Sequence, residues 1–226
     1  MRTSEGDRGS VLSCSMGQLI PMTDWRPPPA QPGDDPSVPT TSFVMVGASH
    51  RTAPLELLER LSIPAPELPA ALRSLAALPD VTGIVALSTC NRTELYASCR
   101  RFHGGVEQLA RFLADRADVA LDDLAPHLAI LHDDTALTHL FRVAAGAESV
   151  VVGETEILGQ LQRALASAEE HSTSSPIVAR ALRHAVRAGR RARAETGVAT
   201  GSSSLPWLAV ERAAGTLGSL QGRRAL

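Results

Sequence analysis

The stretch Gly83-Ile84-Val85-Ala86-Leu87-Ser88-Thr89-Cys90-Asn91-Arg92-Thr93-Glu94-Leu95-Tyr96-Ala97 sets two short apolar runs on either side of a polar segment. Gly83 to Leu87 and Glu94 to Ala97 read as a pair of strands around a loop that carries a thiol. Upstream, Phe43-Val44-Met45-Val46-Gly47 reads as another short buried strand ended by a glycine, with the polar run Ser49-His50-Arg51-Thr52 and then Pro54 behind it. Between these strands, Leu55 to Leu61 and Glu67 to Leu78 space their apolar residues helically, and Pro66 and Pro69 stand near the start of the second helix, where missing donors cost least. Downstream, a helix from about Val106 to Arg116 leads past Asp122-Asp123 to the apolar run Leu128-Ala129-Ile130-Leu131. The resulting β-α-β-β-α-β order predicts an α+β fold: the split βαβ arrangement of a ferredoxin-like sheet, with helices on one face.

A helical segment follows. Thr135 is positioned to cap a helix over Ala136 to Ala145, and Ile157, Leu158, Leu161, Leu165 and Ala168 form the apolar stripe of another. The loop Gly146 to Gly153 lies between them. Ser175-Pro176 is a helix start with Ser as cap and Pro at the first helical position; that helix runs to Glu195, before Gly197, and a last one spans about Pro206 to Leu220. At the other end, residues 1–41 hold Pro27-Pro28-Pro29, Pro32, Pro36 and Pro39 without a sustained period, which predicts a disordered Pro-rich arm.

Composition excludes several classes. Apolar residues make up 44% and charged residues 20% of 226, the balance of a globular protein. Aromatics are only 3%, so stacking platforms for single-stranded nucleic acid are not expected. Every basic residue is Arg, and the net charge of −2 gives no global field towards nucleic acid or an anionic membrane. Any RNA contact must therefore be local. Cys14, Cys90 and Cys99 lack metal-ligand spacing, no secretory signal precedes them, and no window reaches the roughly 20 apolar residues of a membrane span. A reduced, cytoplasmic setting is expected.

Cys90 follows a strand within Thr89-Cys90-Asn91-Arg92, and a thiol beside a guanidinium suits nucleophilic chemistry. From its neighbours alone it equally fits a small hydrophobe at a strand end. His139, in Leu137-Thr138-His139-Leu140, fits a structural residue on an apolar helix face as well as a proton carrier. Arg180, Arg183, Arg187, Arg190, Arg191 and Arg193, with His184, recur at helical spacing as a basic stripe, readable as a phosphate contact or as a solvated charged face.

Leu87-Ser-Thr-Cys-Asn-Arg-Thr-Glu-Leu-Tyr96 resembles the active-site signature of glutamyl-tRNA reductase almost letter for letter. Gly47-Ala-Ser-His-Arg-Thr-Ala-Pro54 is similar to that family's amino-terminal loop, and Gly153-Glu-Thr-Glu-Ile-Leu-Gly-Gln160 to its Gly-Glu-Pro-Gln-Ile-Leu-Gly-Gln motif. The resemblance covers residues 42–222. It implies that Cys90 attacks the ester of glutamyl-tRNA, and that NADPH reduces the thioester to glutamate-1-semialdehyde for tetrapyrrole synthesis, making this an oxidoreductase. It implies His139 as an assisting residue, Thr89, Asn91, Arg92, Ser149, Glu154, Thr155, Glu156 and Gln160 as substrate-binding positions, and Arg92 as a bidentate partner for the substrate carboxylate. Thr155-Glu156 departs from the family's Pro-Gln, and Glu156 also fits a simple preference for the start of a helix.

On this resemblance, residues 42–172 form the catalytic and substrate-binding domain and 173–226 a helical linker. No Gly-x-Gly-x-x-Gly follows a strand. The family's NADPH-binding and homodimerisation domains are expected beyond Leu226, so this polypeptide alone is expected not to complete the reduction. Glutamyl-tRNA is the implied partner, and the next pathway enzyme, glutamate-1-semialdehyde aminotransferase, a further one. Two alternatives stay open: a glutamyl-tRNA-binding module without catalysis, and an unrelated cysteine hydrolase pairing Cys90 with His139.

Overall fold

The computed structural model describes residues 41–153, 156–196, 205–218 and 220–222. The expected arm over 1–41, apart from Thr41, and the helix stop at Gly197 lie outside them. The elements run β1 (Ser42–Ser49), α1 (Leu55–Leu61), α2 (Leu68–Ala76), β2 (Val81–Thr89), β3 (Arg92–Cys99), α3 (Phe102–Ala117), the short α4 (Leu121–Leu124), β4 (Ala129–His132), α5 (Asp133–Ala145), α6 (Glu156–Glu170), α7 (Pro176–Glu195) and α8 (Leu205–Leu217).

The four strands form one sheet in the order β2-β3-β1-β4, and each neighbouring pair is antiparallel. This is the ferredoxin-like arrangement expected from the element order. Strand β1 is buried along nearly its whole length, and its side chains alternate between two cores. Val44, Val46 and Ala48 join Leu61, Leu72, Leu75, Leu109 and Leu113 from α1, α2 and α3. Phe43 and Met45 point the other way, into a second core with Tyr96, Leu140, Leu161, Leu182 and Val186 from β3, α5, α6 and α7. The expectation of helices on one face therefore holds for α1–α3 only. The second face is covered as well, because Phe43, Met45, Val85, Leu87 and Tyr96 present an apolar surface that must leave water.

Helix α7 starts as its sequence predicts, with the Ser175 hydroxyl accepting from the Val178 N–H and Pro176 at the first position. Its Gly189 lies against the backbone of α5: a Cβ there would stand 2.4 Å from the Ala144 carbonyl oxygen. Only glycine lets the two helices approach so closely. Thr135 proves to be inside α5 rather than its cap. The helix begins at Asp133, and the Thr135 hydroxyl bonds back to His132, accepting from its N–H at 3.1 Å and donating to its carbonyl at 2.6 Å. Among the described residues no helix is long and apolar enough to cross a membrane.

Candidate active site

Pairing of β2 with β3 continues to Thr89 opposite Arg92, which leaves Cys90 and Asn91 as a two-residue turn. Thr89 Oγ1 accepts from the Asn91 N–H at 3.2 Å, and the Asn91 carbonyl accepts from the His50 N–H at 2.9 Å. The turn is thus pinned to the loop after β1. Close approach there depends on Gly47, where a Cβ would meet the Thr93 carbonyl oxygen at 2.4 Å. Cys90 is exposed, and its thiol bonds to none of the described residues. Cys99 is buried at the far end of β3; burial and then the charge of Asp80 push its thiol up to about 12. Of these two thiols, Cys90 is the one a reagent can reach.

Behind the turn, Arg92, Glu94 and Tyr96 share one face of β3, as residues two apart on a strand must. The Arg92 guanidinium, 2% exposed, donates through Nη1 to Glu94 Oε1 at 2.8 Å and through Nη2 to the Glu148 carbonyl. His139 Nε2 reaches the same Glu94 oxygen at 3.0 Å, and the Tyr96 hydroxyl donates to Oε2 at 2.6 Å. Burial alone would raise the Glu94 carboxyl; the charge of Arg92, then His139 and the hydrogen bonds from His139 and Tyr96, outweigh it and hold Glu94 down at about 2. An ionised carboxylate only accepts, so His139 Nε2 carries the proton in this bond and Nδ1 is the nitrogen left for proton traffic. Burial and then the carboxylate of Glu94 raise Tyr96 well above its ordinary value, keeping its hydroxyl a donor.

Glu148 gathers a further set of charges. Its carboxylate accepts from Arg142 Nε of α5 at 2.5 Å and from Arg51 Nη1, beside β1, at 3.0 Å. The loop Gly146 to Gly153, which carries Glu148 and the buried Ser149, is closed by a bond from the Gly153 N–H to the Gly146 carbonyl at 3.1 Å. His50 sits beside these cations. Burial, then the charges of Arg92 and Arg51, lower its pKa, so its imidazole is neutral at pH 7.

The structure therefore brings together Thr89, Cys90, Asn91 and Arg92 on one hairpin, links His139 to them through Glu94, and places Ser149 next to the residue whose carbonyl holds Arg92. Glu156 opens α6, exposed, and Gln160 is half-buried one turn on; neither bonds to the hairpin. Glu154 and Thr155 lie outside the described residues. Glu94, Arg51, Arg142 and Glu148 were not singled out from the sequence. The alternation of Arg92 and Glu94 along a strand was the one local signal for any of them.

Two open clefts, of about 570 Å³ at the first half of α7 and about 710 Å³ between α5 and α7, are lined by other residues than Cys90. Among the described residues no group of three His, Cys, Asp or Glu side chains is arranged to hold a metal ion. Nor do these residues fit a nicotinamide dinucleotide. The crevice that takes one forms where parallel strands diverge beside a Gly-rich turn, and every pairing here is antiparallel.

Residues 46–196 match the family described as glutamyl-tRNAGlu reductase, N-terminal domain. A glutamyl-tRNA reductase of Nocardioides sp. is 43% identical over 185 residues, covering 82% of this chain and 43% of that protein. One of Prochlorococcus marinus is 42% identical, covering 81% of this chain and 42% of its own length. Among solved structures, glutamyl-tRNA reductase from Methanopyrus kandleri superposes with a TM-score of 0.60 at 34% identity, over 78% of this chain and 40% of that one. The chain spans less than half the length of the curated relatives it matches.

Proposed function

This chain belongs to the glutamyl-tRNA reductase family through its residues 46–196, and from that premise we propose that Cys90 takes the glutamyl group from glutamyl-tRNA as a thioester. The observation that carries the proposal is an exposed thiol on a two-residue turn, with the buried Arg92 and Glu94 and the half-buried His139 hydrogen-bonded to one another behind it. The Cys90 thiolate attacks the ester carbonyl, a C–S bond forms, the C–O bond to the terminal ribose breaks, and the ribose oxygen takes the proton released by the thiol. His139 carries that proton through Nδ1, its tautomer fixed by Glu94.

Arg92 spends two of its five donors on Glu94 and Glu148. In this proposal its remaining donors meet the side-chain carboxylate of the glutamyl group, which requires the loop bearing Glu148 and Ser149 to yield at the hairpin. By family membership, Thr89, Asn91, Ser149, Glu154, Thr155, Glu156 and Gln160 are the further residues assigned to binding the same group. Family membership alone assigns the following reduction, from thioester to glutamate-1-semialdehyde, to NADPH. Homodimerisation, transfer of the aldehyde to glutamate-1-semialdehyde aminotransferase and a cytoplasmic location rest on family membership in the same way.

Loss of the ester bond from glutamyl-tRNA, followed without a reductant, tests the proposal. The chain should accelerate it over the spontaneous rate, and glutaminyl-tRNA should respond far less, since it offers Arg92 no carboxylate. An acceleration that survives Cys90→Ser would show that the thiol is not the nucleophile.

A further inference from the structure

Helix α7 turns a cationic side to solvent that the chemistry at Cys90 does not use. Its buried positions, Val178, Ala179, Ala181, Leu182, Ala185, Val186 and Gly189, face the second core. Arg180, Arg183, His184, Arg187, Arg190 and Arg191 are all exposed. At 100° per residue these six fall within an arc of roughly 120°, and from the first to the last they rise about 16 Å along the axis. Arg183 is paired with Glu169, and Arg191 with Glu195 at 3.1 Å. Arg180, Arg187 and Arg190 have no carboxylate partner among the described residues. The open cleft of about 570 Å³ on this side is lined by Ser174, Arg180, Arg183, His184 and Arg187.

The direction of the stripe matters as much as its charge. At its start α7 is tied to the end of the sheet remote from Cys90: Ser175 Oγ lies 2.8 Å from Ser98 Oγ, and the Thr173 carbonyl accepts from the Ile84 N–H at 2.8 Å. From Gly83 to Cys90 the strand covers about 23 Å. At its other end α7 packs through Gly189 on Ala144, with Arg193 beside Gly146, the residue that opens the loop holding Arg92. The cations therefore run from the far end of the sheet towards the thiol.

We propose that this face of α7 binds the phosphate backbone of the tRNA acceptor arm and guides its aminoacylated end to Cys90. The proposal rests on the reading of the substrate as glutamyl-tRNA. A polyanion whose terminus must reach the hairpin needs a cationic track ending there. The net charge of −2 supplies no general attraction, so the contact has to be local.

The test uses the whole chain and end-labelled, deacylated tRNA specific for glutamate, with anisotropy titrations over a range of salt. The combined variant Arg180→Gln, Arg187→Gln, Arg190→Gln should lower the slope of log affinity against log salt by about 2 to 3, since each arginine replaced leaves one phosphate without its cation. A control with Arg60→Gln, Arg73→Gln and Arg111→Gln changes the charge equally on α1–α3, across the sheet, and should keep the slope. Circular dichroism checks that both remain folded. Equal slopes for the two variants overturn the proposal, as does an unaltered chain that binds no tRNA. Ester loss dependent on Cys90, measured on the same preparations, shows whether the reading of the substrate falls with it or stands alone.

Discussion

Glu94, only 2% exposed, holds three donors: Arg92, His139 and Tyr96. Its carboxyl titrates at about 2 instead of the ordinary 4.5, so its contribution to stability is complete above about pH 4.5 and is lost as pH falls through 2. Glu94→Gln should cost about 3 kcal/mol at neutral pH, since the change strands a buried guanidinium. In urea titrations the gap between the parent and the variant should narrow steadily from pH 4.5 towards pH 2; a gap that stays constant would mean that Glu94 is not the charged partner of Arg92. The contiguous part of the site, Thr89 to Arg92, was legible because it lies in one run of sequence. Arg92 was expected to face the substrate, and its near-complete burial was not visible, because Glu148 and the loop that hides it come from a distant segment. Arg51 meets Arg142 and Glu148 only through the fold, so no spacing announces the set.

Among the elements, α7 shows how a local propensity can be reversed by packing. Glycine inside an exposed helix destabilises it by about 1 kcal/mol relative to alanine. At Gly189 the added methyl would strike the Ala144 carbonyl, and Gly189→Ala should destabilise by about 1–3 kcal/mol instead. Equilibrium unfolding gives the sign, and an increase in stability would show that α5 and α7 are not packed this closely. Helix starts and strand runs were readable from short signals such as Ser175-Pro176 and Phe43 to Gly47. That β1 is covered on both sides was written in its unbroken apolar run, yet the element order pointed to a one-sided sheet. What decided the matter is tertiary: α5, α6 and α7 each carry an apolar stripe, and the open face of the sheet is where those stripes are buried.

At the scale of the molecule, one sheet separates two cores and presents its β2–β3 turn at the edge. The turn is held from one side by the loop after β1, and Arg92 and Glu94 behind it are held from the other by α5 and the loop following it. Such a platform suits a nucleophile that must be fixed in position yet open to a large substrate. The thioester on Cys90 is the claim on which the proposed function depends. Its most direct test is to mix the chain with tRNA carrying radiolabelled glutamate, without NADPH, quench in acid and locate the label. Label on the peptide that contains Cys90, released by hydroxylamine and missing in Cys90→Ser, is the predicted result. Glutamyl-tRNA that binds and leaves no label on the protein would contradict the assignment of Cys90 as the acyl acceptor.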